Sequence, residues 1–319
     1  MGNIILTCNV SQLKRAVSMF KPINEEAIFF FSPEGLKIWA VDGASTVAFE
    51  MWADKTSFIS YVCEEARSFC IKVETITKSL TRFSEDEHLR MTIPDKAVSM
   101  RVNIFKRGGK QLVSSNREFT FPMITPDKEY RESKLSFPYA FKISSGLWKT
   151  AITDMGVSSK DMSGSFLIYL KKDSIRFQAG TAGEAKTKVE YHKSELREIN
   201  IGAEDSLTLD FSLSKVFELF RSMPDDLLLD FTLLDNTKPL ICKFELADIK
   251  LAALSFSKPF TFKMLICPYI RNDPIEKDEL EDLDMQTGKE ISIPELDEIE
   301  DKNKPKGDGE SSGGLKLDD

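Results

Sequence analysis

Four short segments of the chain share one apolar spacing, i, i+4, i+7: Leu13/Val17/Phe20, Ile76/Leu80/Phe83, Trp148/Ile152/Met155 and Leu213/Phe217/Phe220. That spacing lays a single apolar stripe along one side of an α-helix. It predicts helices within 11–21, 73–83, 144–156 and 213–223, each an ordinary length of about three turns. β-rich runs bounded by turn residues lie between them. Ala27–Phe31, Ser32-Pro33-Glu34-Gly35 and Leu36–Val41 read as a hairpin, and Phe166–Leu170, Lys171-Lys172-Asp173 and Ser174–Ala179 repeat the design. Each second helix is followed by another pair, Leu89–Ile93 with Val98–Val102 and Leu227–Leu233 with Leu240–Leu246.

The spacing between matching positions is nearly constant: 135 from Leu13 to Trp148, 139 from Leu36 to Ile175 and 137 from Ile76 to Leu213. One helix–hairpin–helix–hairpin order therefore occurs twice, which marks an internal duplication. The pattern predicts an α+β fold with two copies of a two-helix, antiparallel-sheet domain, spanning 1–124 and 139–271. The charged stretch 125–138, bracketed by Pro126 and Pro138, joins them.

Charge divides the chain again. The net charge is −8, yet residues 272–319 alone hold 17 acidic and 6 basic side chains and no aromatic. Such a segment cannot bury enough apolar surface to order itself and is expected to be a disordered tail. The remaining 271 residues carry 34 acidic and 37 basic side chains, so the folded body is mildly basic. No apolar run approaches the roughly 20 residues that cross a bilayer, and no basic-then-apolar pattern near Met1 leads to the expectation of a secretory signal. The five cysteines are scattered, odd in number and free of CxxC spacing. They read as reduced thiols of an intracellular protein, cytoplasmic or nuclear, and not as disulfide or zinc ligands.

The helices concentrate the positive charge. With each apolar stripe set at 0°, Arg15, Lys78, Arg82 and Lys215 fall opposite the buried side, and Lys14, Lys21, Lys149 and Arg221 fall on the flanks. The four segments hold eight basic residues against three acidic ones, Glu74, Asp154 and Glu218. For any one helix a solvated polar face explains this better than a polyanion site does. The concentration of charge across all four favours duplex DNA, bound through its phosphates without base reading.

An enzyme's tools are missing from the sequence. GxxxxGK[ST], GxSxG, HExxH and GxGxxG do not occur. His88 opens a strand and His192 ends one, positions that suit surface residues. Gly180-Thr181-Ala182-Gly183 lies between strands, where a turn is expected, and Arg107-Gly108-Gly109-Lys110 reads as a hairpin tip. A nucleic-acid enzyme is the least favoured reading, and neither a cofactor nor a metal is expected.

The order of these motifs over residues 4–271 resembles the DNA sliding clamps related to proliferating cell nuclear antigen (PCNA). Ser11-Gln12-Leu13-Lys14-Arg15-Ala16-Val17 is similar to the family's first pore helix, and Gly35–Asp42 to its first hairpin. Phe58–Cys63 resembles the strand before the second helix, and Thr75–Leu80 that helix. Lys238-Pro239-Leu240 through Ala247-Asp248 is similar to the family's Pro-Leu…Ala-Asp run. Phe262–Ile270, with Cys267-Pro268, resembles its terminal strand. The departures are extra residues at Lys250–Thr261, a shorter connector and the acidic tail, which point to a divergent member of viral, phage or archaeal type.

The resemblance implies a ring, with a homotrimer expected, that encircles duplex DNA, is placed by a clamp loader and tethers the replicative DNA polymerase as a processivity factor. A same-fold factor acting as a monomer or dimer, or a checkpoint-clamp subunit of a mixed ring, are the alternatives. Lys14, Arg15, Lys21, Lys78, Arg82, Lys149, Lys215 and Arg221 would then face DNA. Subunits would join through Arg117, Phe119 and Phe121 on one edge and Lys186, Lys188, Val189 and Tyr191 on the other. A partner peptide would sit among Val41, Val47, Leu135, Phe137, Pro239, Ile266, Cys267 and Pro268. Ordinary core membership competes with that role for Val41, Val47 and the last few of these.

Overall fold

A computed structural model describes residues 2–81, 83, 87–108, 111–126, 135–158, 164–180, 186–202, 204–247 and 258–269, with backbone only at 107–108 and 111–116. Residues 1–270 form one compact unit. Arg82, Gly109-Lys110 of the hairpin tip, 181–183, residues 250–257 of the insertion and the acidic tail 272–319 fall outside the described residues.

The first repeat runs β1 (Ile4–Asn9), α1 (Val10–Ser18), β2 (Glu26–Ser32), β3 (Gly35–Val41), β4 (Val47–Asp54), β5 (Ser60–Val62), β6 (Arg67–Lys72), α2 (Val73–Leu80), β7 (Glu87–Ile93), β8 (Ser99–Gly108) and β9 (Gln111–Pro122). The second runs β10 (Tyr139–Ser144), α3 (Ser145–Ser158), β11 (Ser165–Lys171), β12 (Ser174–Ala179), β13 (Thr187–His192), β14 (Glu198–Asn200), β15 (Ser206–Ser212), α4 (Leu213–Arg221), β16 (Leu228–Leu233), β17 (Leu240–Leu246) and β18 (Phe260–Ile266). Strand for strand and helix for helix, the two orders are the same.

Sheet topology repeats as well. β5-β1-β7-β8-β9 form a five-stranded sheet, and the matching β14-β10-β16-β17-β18 form half of a nine-stranded one. The other half, β4-β3-β2-β6, matches the separate four-stranded sheet β13-β12-β11-β15. The join between the halves is β18 against β4, in register from Thr261↔Trp52 to Ile266↔Val47. β9 and β13, the counterparts of β18 and β4, are both terminal strands of their sheets.

Each helix buries its apolar side against these sheets. Asn9 caps α1 by accepting a hydrogen bond from the Ser11 amide at 2.7 Å. Phe20 carries the α1 side onto Phe49, ring centroids 4.7 Å apart. In the second repeat the fully buried Trp148 of α3 meets Phe141, Phe177, Phe220 and Phe231. Phe49, Phe244 and Phe262 stack along the shared sheet and tie the two repeats into one core.

Four expectations shift. The α4 stripe is Leu213/Val216/Phe220, with Leu219 also buried, whereas Phe217 is only half-buried. Leu213 therefore matches Val73, the first residue of α2, and not Ile76; the short i, i+4, i+7 signal fits two phases one turn apart. Phe83 packs beyond the end of α2, not within it. Between Phe58–Cys63 and α2 the chain adds β6, which pairs with β2 and leads directly into the helix. His192 is exposed, but His88 is half-buried and stacks on Phe105 at 5.9 Å. All five cysteines are free.

Candidate interface surfaces

On the helix layer the basic residues divide into engaged and open ones. Lys14 and Lys149 occupy matching positions on α1 and α3, and each reaches the end of the neighbouring helix. The Lys14 ammonium donates to the Thr81 carbonyl at 3.4 Å, and that of Lys149 to the Met223 carbonyl at 3.0 Å and to Asp225. A cation at a helix C-terminus satisfies orphan carbonyls and the helix dipole, so both lysines hold the helix pairs together. Lys78 is exposed and paired with Glu74 at 2.8 Å, an i,i+4 contact within α2. Arg15 is half-buried, while Lys21 and Arg221 are exposed; none of the three has an ion-pair partner among the described residues.

Lys215, expected to face DNA, is engaged across the two repeats. Its ammonium lies 2.7 Å from a carboxylate oxygen of Asp42, a residue of the other repeat. The 100°-per-residue projection placed it opposite the apolar stripe, but the stripe's true phase and the neighbouring repeat put it at the junction. Phe217, half-buried, borders a hollow of about 120 Å³ between α3 and α4 with Lys149 and Arg221.

The terminal strands β9 and β13 compare position by position with β18 and β4. Matching the repeats through the strand registers aligns Phe121 with Ile266 and Tyr191 with Ala53. In that alignment the cross-strand pair Lys263↔Glu50 of the β18–β4 join corresponds to Glu118 and Lys188. Arg117, Glu118 and Lys188 are exposed, Phe119 and Val189 half-buried against the core, and Phe121 and Tyr191 buried. Phe119 packs edge-on to Phe83, whose ring also lies 5.3 Å from the Arg117 guanidinium carbon. Tyr191 donates its hydroxyl to the Leu147 carbonyl at 3.1 Å. Lys186 is exposed.

The residues assigned to a partner pocket separate by strand parity. Val47 and Ile266, 1% and 2% exposed, point into the core. Alternation along a strand then turns their neighbours Ala48 and Leu265 outward, and these pair across the sheet with each other and, through Ala48, with half-buried Val41. Ile241, opposite Leu265, completes a row of apolar residues on that face. Burial takes Val47 and Ile266 off the outward face, and strand alternation along β4 and β18 brings Ala48 and Leu265 to it. Pro239 and Pro268 are half-buried and Cys267 is exposed at the ends of these strands. From the connector, Leu135 is 44% exposed and Phe137 half-buried.

The loop beside this row is tightly built. The buried Asp42 carboxylate accepts from the Thr46 amide at 2.7 Å, the Thr46 hydroxyl at 2.8 Å and the Val47 amide at 2.9 Å. Burial works to raise the Asp42 carboxyl, but the hydrogen bonds from Lys215, Val47 and Thr46 outweigh it and hold it below the usual carboxylate range. The Cys267 amide donates to the Thr46 carbonyl at 2.8 Å, stitching the loop to the end of β18.

Farther along the same outward face lies a groove of about 710 Å³ with Trp52, Leu228 and a cross-strand ladder of Lys142, Asp230, Lys243, Lys263 and Glu50 in its lining. No sequence motif marks it, because its polar residues come from six strands of both repeats. Among the described residues no cluster of His, Cys, Asp or Glu has the makeup of a metal site, and no helix is long and apolar enough to cross a membrane.

Residues 6–130 match the family described as proliferating cell nuclear antigen, N-terminal domain. A DNA polymerase sliding clamp of Thermofilum pendens is 25% identical over 73% of this chain and 90% of its own length. DNA polymerase sliding clamp 2 of Pyrobaculum aerophilum is 23% identical over 62% of this chain and 76% of its own. Among solved structures, PCNA of A. fulgidus, described with the C-terminal region of FEN-1 bound, superposes with a TM-score of 0.68 at 20% identity, over 85% of this chain and all of that one. PCNA of Thermococcus kodakaraensis gives 0.69 at 15% identity, over 83% of this chain and all of that one.

Proposed function

We propose that this PCNA-like chain is a sliding clamp: it closes into a ring around duplex DNA and holds a DNA polymerase on its template as a processivity factor. The observation that carries this reading is the repetition of the β18–β4 join in two terminal strands of the same kind. If β9 of one copy meets β13 of the next as β18 meets β4 within the chain, every junction around the assembly has one design. Such head-to-tail contacts propagate until rotation closes them, and a homotrimer then has six equivalent domains. Glu118 facing Lys188 across that junction supplies an opposite-charge pair where the internal join has Lys263 facing Glu50.

The helix layer supports a loose hold on DNA. Lys14, Arg15, Lys21, Lys78 and Arg221 give phosphate contacts that carry no sequence information, and Lys149 contributes while tied to Asp225. Lys215 is withdrawn from this set. A ring needs no active site: topology keeps the tethered polymerase at high effective concentration near the primer end. A clamp loader is the partner that a closed ring requires for opening. Polymerase and other partners dock a short peptide against Val41, Ala48 and Leu265, with Leu135 and Phe137 of the connector on one side and Pro239, Cys267 and Pro268 at the strand ends.

The test is retention by topology. Loaded protein is expected to stay on nicked circular DNA through a high-salt wash and to be released when the circle is cut once. Loss from the intact circle at the same rate as from the cut one would instead favour the monomeric or dimeric factor that holds DNA by charge alone.

A further inference from the structure

Asp42 and Lys215 come from different repeats, 173 positions apart, and meet at 2.7 Å. The Asp42 side chain is only 4% exposed and that of Lys215 33%, so one partner is desolvated and the other sits at the boundary. The same carboxylate organises residues 42–46, which lie immediately between Val41 and Ala48 of the outward apolar row. The loop is in turn bonded to the Cys267 amide at the end of β18. Ser45 adopts a left-handed backbone, φ 57°, which a non-glycine residue holds only when its surroundings enforce it. Helix α4 thus reaches past the sheet to fix the very turn that separates two residues of the proposed peptide row.

We propose that Lys215 is a positioning residue for partner binding: its ion pair with Asp42 clamps residues 42–46 as one wall of the peptide row, so that peptide affinity is set in part from the helix layer. The inference rests on the peptide site described under the proposed function. The charge on Lys215 compensates a buried carboxylate that already takes three hydrogen bonds from the loop. Without it the carboxylate is left buried and uncompensated, and the loop gains by turning it toward water. That movement frees the Thr46 and Val47 amides and displaces Val41 and Ala48 relative to Leu265. The ion pair also leaves Lys215 with no open positive charge to offer the helix layer.

The test compares wild type with Lys215→Met, which keeps the chain length of the stem, Lys215→Arg, which keeps the charge, and Asp42→Asn. Two quantities are read: hydrogen exchange at the Thr46, Val47 and Cys267 amides, and affinity for the C-terminal FEN-1 peptide used as probe. Lys215→Met and Asp42→Asn are expected to quicken exchange at those three amides and to weaken the peptide about tenfold, the scale on which one contact couples two sites. Lys215→Arg is expected to restore both, with sedimentation of all variants unchanged. Faster exchange with unaltered peptide affinity would overturn the positioning role and leave the peptide site standing. Unaltered exchange in Lys215→Met would overturn the clamp itself. Failure of wild type to bind the peptide would remove the underlying site, and the proposal with it.

Discussion

Lys188→Glu sets a carboxylate opposite Glu118 at the proposed β9–β13 junction, and the size of its effect follows from the register. A directly opposed charge pair across antiparallel strands contributes about 0.2–1 kcal/mol, and like charges in the same place cost a similar amount. Reversal therefore shifts one junction by roughly 0.5–2 kcal/mol, and three junctions in a ring by about 2–6 kcal/mol. For a trimer that dissociates to monomers, the midpoint concentration follows the square root of the overall constant. At about 1.4 kcal/mol per tenfold, the midpoint rises roughly 5- to 100-fold, toward the upper end at low salt where screening is weakest. Lys188 is exposed, so the monomer is expected to keep its fold. The assay is sedimentation velocity over a concentration series, with Glu118→Lys combined with Lys188→Glu as the restoring pair. Glu118 also accepts from the Asn103 side-chain amide at 2.9 Å, so the double variant recovers most of the loss and not all of it. An unchanged midpoint in Lys188→Glu, or no recovery in the double variant, would refute the register.

Replacing Arg15, Lys21 and Lys78 together by Glu, which spares the Lys14 bond to the end of α2, is expected to reduce polymerase stimulation and flatten the salt dependence of DNA binding, with the circular dichroism spectrum retained; undiminished stimulation would remove these helices from the DNA contact. Leu135→Ala with Phe137→Ala, or Leu265→Asp alone, is expected to weaken a polymerase C-terminal peptide at least tenfold in calorimetry, while equal affinity would place the polymerase contact elsewhere. Trp148→Ala opens a cavity among four aromatic rings and is expected to cost about 3–5 kcal/mol in denaturant unfolding. The Asp42 carboxyl is held below its usual range, so its contribution to loop stability is complete above about pH 5. It is lost as the pH falls below the unfolded value of about 3.9 and through the lowered folded one; exchange at the Val47 amide is expected to follow that course in wild type and to lose it in Asp42→Asn.

Local pattern was enough to define the duplication. The stripes Leu13/Val17/Phe20 and Trp148/Ile152/Met155 report helices whose buried side is set by the i, i+4 geometry of the backbone alone, and both hairpins announce themselves through Ser32-Pro33-Glu34-Gly35 and Lys171-Lys172-Asp173. Terminal strands β9 and β13 were also legible, because their alternation survives without a neighbour. Tertiary structure decided what periodicity leaves degenerate. Three apolar positions on α4 admit two phases that share Leu213 and Phe220, and only burial in the folded repeat selects Val216 over Phe217. A strand's two faces are equivalent until one is buried, so the core alone turns Val47 and Ile266 inward and Ala48 and Leu265 outward. A positive charge carries no address in sequence: Lys215 reads like Lys78 until the second repeat folds against the first and brings the buried Asp42 carboxylate within 2.7 Å of it.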